Sequence, residues 1–290
     1  MSINRKLVKI DTPRGEPGFL GAGHTARPLL SGSFSETDPF IMLMDDVLDK
    51  KDNVPVGGPH PHAGFETVSF LLEGEIGDEA HKMRGGDFQI MTAGSGIVHT
   101  ETIDKIARLR LLQLWLNLPS GFRWATPRVQ DLQAEHAPAF RESGVLIILY
   151  SGSLNDLRSP VQNYTPLIVA DIRIDPKVAT TQQIPGNFNS FLYVLQGSVS
   201  VGEPGIQLKQ GQVGWLDLSN AEDQSELILT AGEDGVRLVL YGGKPTGENI
   251  VSYGPFIADN AEDIQRLYRE YSKGKMEHIS RVPAAQRILY

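Results

Sequence analysis

The stretch His60-Pro61-His62-Ala63-Gly64-Phe65-Glu66-Thr67-Val68-Ser69-Phe70-Leu71-Leu72-Glu73-Gly74 decides how this chain is read. Glu66 to Leu72 has the short, apolar composition of a strand, and Gly74 ends it. In an extended chain residues two apart share a face, so His60 and His62 project together. A second pair of this kind follows at His99-Thr100-Glu101. On neighbouring strands the two pairs would bring three imidazoles and one carboxylate to a single point. That donor set suits a divalent first-row transition metal and leaves positions open if the metal is six-coordinate. Spacing alone admits either Glu66 or Glu101 as the carboxylate.

Strand signals continue outward from this stretch. Phe88 to Met91, Ile97 to Ile103, Leu109 to Leu116 and Val145 to Tyr150 are short apolar or alternating runs. They are punctuated by Gly77-Asp78, Gly85-Gly86 and Gly94-Ser95-Gly96. Further runs follow at Pro166 to Ile174, Phe191 to Leu195, Gln212 to Leu218, Glu226 to Thr230 and Val236 to Tyr241. Many short strands with glycine-rich turns predict an all-β sandwich or barrel rather than a doubly wound sheet. Residues 126–143 are polar and hold Pro127 and Pro138, which reads as a connector. The expected division is therefore 1–130 and 131–290. One segment, Asn260 to Lys275, reads as helix: Asn260 is the cap, Glu262 and Asp263 suit the first turn, and Ile264, Leu267, Tyr268 and Tyr271 form one stripe.

The two halves echo each other. Phe70-Leu71-Leu72-Glu73-Gly74 is similar to Tyr193-Val194-Leu195-Gln196-Gly197, and Gly85-Gly86-Asp87-Phe88 to Gln210-Gly211-Gln212-Val213. Carrying that register across puts Gln183, Pro185 and Asn189 where His60, His62 and Glu66 stand. The scaffold is duplicated and the metal chemistry is not.

Composition narrows the function further. The 290 residues carry a net charge of −8, so direct nucleic-acid binding through a basic footprint is not expected. With no cysteine, disulfides, thiolate ligands, iron–sulfur clusters and a cysteine nucleophile are excluded. The first residues lack the apolar core of a signal peptide, and the longest apolar run, Val145 to Tyr150, is too short to cross a membrane. A soluble cytoplasmic protein is expected. Gly18, Gly21 and Gly23 lack the strand–turn–helix setting of a dinucleotide loop, and Gly94-Ser95-Gly96 reads as a turn rather than a nucleophile elbow. His24, His81, His136 and His278 have no partner at metal spacing and read as ordinary surface histidines, and Arg108 and Arg110 read as a solvent-facing strand edge. Phe122 and Trp124 are aromatics for an interface or a pocket.

Taken together these residues resemble a bicupin, and more narrowly the pirin family. The carriers are His60 to Val68 with Leu72-Glu73-Gly74, then Gly86-Asp87, then Met91-Thr92-Ala93-Gly94-Ser95-Gly96-Ile97-Val98-His99-Thr100-Glu101. Gln113-Leu114-Trp115-Leu116-Asn117-Leu118 and Gly254-Pro255-Phe256 extend the resemblance over essentially the whole chain. It implies two tandem cupin-type β-barrels and a C-terminal α-helix packed back on the N-terminal half. It also implies one metal in the N-terminal barrel, held by His60, His62, His99 and Glu101, with Glu66 nearby. Iron(II) is the metal the resemblance puts first, and nickel, copper, zinc or manganese would also suit the donors. Where the family commonly has an arginine after the second histidine, this chain has Ala63.

Two functions follow from the resemblance. One is a dioxygenase that opens flavonols such as quercetin at the C2–C3 bond with release of carbon monoxide, its substrates being a small aromatic molecule and dioxygen and its catalytic base Glu101. The other is a metal- or redox-sensing regulator that binds a transcription factor or a metabolic enzyme. Neither calls for nucleic acid or a membrane.

Overall fold

The computed structural model describes residues 3–77, 82–219 and 223–290; Asp78 and His81 lie outside the described residues. The chain folds as two all-β units, each assembled from separate stretches: residues 14–136 with 246–290, and residues 1–13 with 137–245. The boundary expected at 130 lies instead at 136, and the two ends of the chain change places. Strand Leu7–Asp11 pairs antiparallel with Val213–Leu216 of the second unit. The C-terminal helix, Ala261–Ser272, belongs with the first. Composition marks a linker along the chain, but strand pairing decides which sheet a terminal segment joins. No helix among the described residues is long and apolar enough to cross a membrane.

The first unit holds the histidine motifs. Its main sheet runs, by strand, in the order 287–289, 128–132, 88–92, 65–73, 107–117, 40–50, 24–28 and 16–17. Strand Ala107–Asn117 sits at its centre, antiparallel to Phe65–Glu73 on one side and Phe40–Lys50 on the other. Leu109, Leu111, Gln113 and Trp115 point into the barrel, while Leu112, Leu114 and Leu116 are buried on the opposite face. Burial on both faces explains why this run is nearly continuous in apolar residues rather than alternating. The 40–50 strand was not visible in the sequence because Asp45-Asp46 interrupts its apolar run. Those two aspartates take opposite faces. Asp45 is fully buried and clamped by Arg110 through two bonds of 2.8 Å and by Arg27 at 3.0 Å, whereas Asp46 turns into the barrel. Arg110 is thus an ion-pair partner rather than a plain solvent-facing edge, while Arg108 is exposed as expected.

The second unit repeats this plan. Leu167–Ile174 and Asn189–Val201 flank the long strand Gln224–Gly243, which joins two runs expected as separate strands. Asp171 is buried and clamped by Arg237 and Arg173, and it stands opposite Val239 as Asp45 stands opposite Leu112. Its interior holds a core of aliphatic side chains, among them Ile147, Ile172, Ile184, Leu192, Leu238 and Leu240. Ile184 takes the inward face, so the register-equivalent residues Gln183 and Pro185 do not line this core: Gln183 is exposed and Pro185 half-buried. Two residues before Ile184 on the same face, Gln182 is buried, accepting from Asn155 and donating to Thr180.

The helix starts where expected, with the Asn260 side chain accepting from the Asp263 amide at 2.9 Å. Ile264 and Leu267 are buried against Ala63, Phe256, Ala258 and Met276, while Tyr268 and Tyr271 stay partly exposed. Trp124 packs on the edge of this cluster beneath the Arg266 guanidinium, 4.4 Å from its ring, and Phe122 is exposed.

Candidate metal centre

Strands His60–His62 and Ile97–His99 pair antiparallel with His99 opposite His60 and Ile97 opposite His62. The alternation of an extended chain then puts all three imidazoles on one face. Ring centroids lie 4.3 Å apart for His60 and His99, and 4.9 Å for His62 with either neighbour. One nitrogen from each ring falls within 4.8 Å of the other two. Two glycines let the backbone come this close. Gly57, at φ +77°, lies where a Cβ would meet the Glu101 carbonyl at 2.4 Å, and Gly64, at φ +86°, where it would meet the Ile257 carbonyl at 1.8 Å.

The protonation of the cluster fits a cation. Burial and the neighbouring His60 hold the His62 pKa down at about 3, and burial with the other histidines holds His99 well below its ordinary value. Both therefore carry free lone pairs at neutral pH. His60 Nδ1 lies 3.0 Å from the Gly58 carbonyl, to which it donates, leaving Nε2 as the lone-pair atom. That Nε2 stands 2.8 Å from His99 Nε2, close enough for one cation to take both. His62 Nδ1 is buried without a hydrogen-bond partner of normal geometry. Neutral, convergent and partly orphaned nitrogens are what a transition metal requires.

Glu101 lines the same cavity, but its carboxylate lies outside the 4.8 Å cluster. The regular strand ends at His99, so Glu101 is positioned by its own amide, which donates to the Gly57 carbonyl at 3.2 Å. Burial raises its pKa, with Asp46 adding to the rise and His60 opposing it. Glu66 faces the other way. It is fully buried on the opposite side of its strand, level with Thr92, whose hydroxyl donates to it at 2.6 Å. It is therefore not at the pocket wall. Ala63 also points away, into the cluster under the C-terminal helix.

The cavity in front of the histidines measures about 230 Å³ and is lined mainly by apolar side chains, with Trp115 edge-on to His62 at 5.2 Å. Two histidines expected at the surface belong to this region. His24 is buried in the cavity wall and bonded to Asp46, and His278 is half-buried with its Nε2 2.9 Å from the Thr100 hydroxyl, next to His99. No local motif marks either one, because their partners lie 22 and 178 residues away. His136 is exposed, as expected.

Two barrels of one plan, one of them carrying a histidine cluster at its open interior, define a bicupin. The chain belongs to the pirin family: the family's pirin profile matches residues 24–116, and its profile for the pirin C-terminal cupin domain matches residues 169–277. It is 35% identical to pirin from Homo sapiens over 95% of each chain. It is 30% identical to a putative quercetin 2,3-dioxygenase of Pseudomonas aeruginosa, covering 94% of this chain and 99% of that one. Among solved structures, a quercetin 2,3-dioxygenase from Acinetobacter baumannii superposes with a TM-score of 0.81 at 25% identity, covering 94% of this chain and 98% of the other.

Proposed function

We propose that this chain is an iron-dependent dioxygenase acting on flavonols such as quercetin, with His60, His62, His99 and Glu101 as its metal ligands. The observation that carries this reading is the convergence of three imidazoles on an apolar cavity that Glu101 also lines. Relatives named for quercetin 2,3-dioxygenase point to the same chemistry. A metal held there supplies Lewis acidity and a path for electrons between substrate and dioxygen. The protein's own part is to bind, orient and deprotonate. Glu101, whose carboxylate lines the same cavity, takes the proton of the flavonol 3-hydroxyl. Phe65 and Trp115, ring to ring at 4.3 Å, close one wall beside His62 and keep water from that side.

The test is to load the metal-free protein with iron(II), add quercetin, and follow dioxygen uptake and carbon monoxide. One dioxygen consumed and one carbon monoxide released per quercetin is the expected result. No uptake with any flavonol would leave a second reading, a metal-sensing regulator. One observation favours that alternative: the strand carrying His99 also pairs with Glu277–His278, so a shift at the histidines reaches the C-terminal segment.

A further inference from the structure

The cavity wall contains a pair that the proposed chemistry leaves unused. His24 Nδ1 accepts from the Leu20 amide at 3.1 Å, which fixes the ring proton on Nε2. That proton is donated to Asp46 Oδ1 at 2.9 Å. The imidazole has no solvent exposure and no room to turn. A Cβ at Gly18 would fall 2.0 Å from its Nδ1, and Phe19 stands edge-on at 5.6 Å. Asp46 therefore faces the cavity at a fixed angle, with His24 as its hydrogen-bond partner among the described residues. Such a carboxylate, 16% exposed and surrounded by Met44, Leu48 and Leu111, is short of donors. A carboxylate accepts at two oxygens, and burying it with one neutral donor is costly unless a second donor arrives. In the other barrel the register-equivalent residue is Ile172, packed in the core, so the fold itself does not require an acid here.

We propose that Asp46, held by His24, is a hydroxyl-reading site that accepts a hydrogen bond from a phenolic hydroxyl of the substrate other than the one reaching the metal. This rests on the dioxygenase reading and deepens it. The substrate class becomes neutral aromatics bearing a second, donor hydroxyl. Aromatics carrying a carboxylate in place of that hydroxyl are disfavoured, because Asp46 is an acceptor and a carboxylate brings it no donor. A site built to accept a hydroxyl discriminates against an analogue that lacks it, since its buried acceptor is then left unpaired.

The experiment measures anaerobic binding, by calorimetry, of quercetin and of 3-hydroxyflavone to the metal-loaded full chain. The second ligand keeps the 3-hydroxyl and 4-carbonyl but has no other hydroxyl. Quercetin should bind at least about tenfold more tightly to the unaltered protein, the effect of one hydrogen bond to a charged group. Asp46→Leu, which removes the acceptor, and His24→Phe, which removes its support, should each bring the ratio to within about threefold of unity. Should Asp46→Leu fail to fold, His24→Phe and the ligand pair on the unaltered protein still decide the matter. Equal binding of both flavonols by the unaltered protein, or discrimination that survives in folded variants, overturns this inference and leaves the dioxygenase reading standing. Binding of neither flavonol overturns both.

Discussion

In the unit of residues 14–136 and 246–290, the central strand presents Leu111, Gln113 and Trp115 to a cavity of about 230 Å³; in the other unit the same register presents Leu238, Leu240 and Gly242. There Leu238 and Leu240 belong to a buried aliphatic core. Both units nevertheless carry the same buried clamp, Asp45 with Arg110 and Arg27 in one, Asp171 with Arg237 and Arg173 in the other. Each also uses one fully buried arginine to hold the loop after its His60–His62-type strand. Arg123 donates to the Gly64 carbonyl at 3.0 Å, and Arg5 to the carbonyls of Pro185, Gly186 and Phe188. What holds the barrel together is therefore doubled, while among the described residues the histidine cluster that could hold a metal is found in one unit. The difference lies in inward-facing side chains: Asp46 stands where the other unit has Ile172, and the inward face that holds His60 and His62 in one unit is taken by Ile184 in the other.

The largest effect should come from Glu101, set against Glu66. Glu101→Gln removes the base and should lower flavonol turnover by about 10²–10⁴-fold. Glu66→Gln keeps its place against Thr92 on the far face and should change turnover only a few-fold. Steady-state rates at equal metal loading check this, and the reverse ranking would move the chemistry to Glu66.

The buried arginines sharpen the comparison at the next level. Arg123→Met and Arg5→Met should each cost on the order of 3 kcal/mol in denaturant unfolding, since each strands buried acceptors that a guanidinium now satisfies. Only Arg123→Met should also weaken metal binding, because Gly64 lies two residues beyond His62. Equal metal affinity in the two variants would show that the loop behind the histidines does not need its arginine.

The smallest effect is at the helix that closes the first barrel. Asn260→Ala should lower stability by about 1 kcal/mol, the ordinary value of a lost N-cap, with metal content unchanged. Thermal unfolding and elemental analysis on one sample check both statements.

The features legible in the amino-acid sequence are local. Alternation makes His60 and His62 neighbours, the Asn260 cap and apolar stripe make a helix, and glycine-punctuated strands make barrels. The parts that could not be read depend on distant pairing. Nothing near Leu7–Asp11 signals that it completes the second unit, and nothing near His24 signals Asp46. The repeat was legible as a motif, but a register carried across a strand cannot show which face turns inward. Ile184, not Gln183 or Pro185, takes the core position. Asp45-Asp46 hid its strand for a related reason, since two adjacent acids look like a break until each is seen to have its own face.

The measurement that bears most directly on the central claim, that metal chemistry is confined to one of the two barrels, is anomalous diffraction from crystals of the full chain loaded with iron(II). One peak per chain, bonded to nitrogens of His60, His62 and His99, is the predicted result. A peak inside the second barrel, near Gln182 or Asn189, or the absence of any peak at the three histidines, would contradict it.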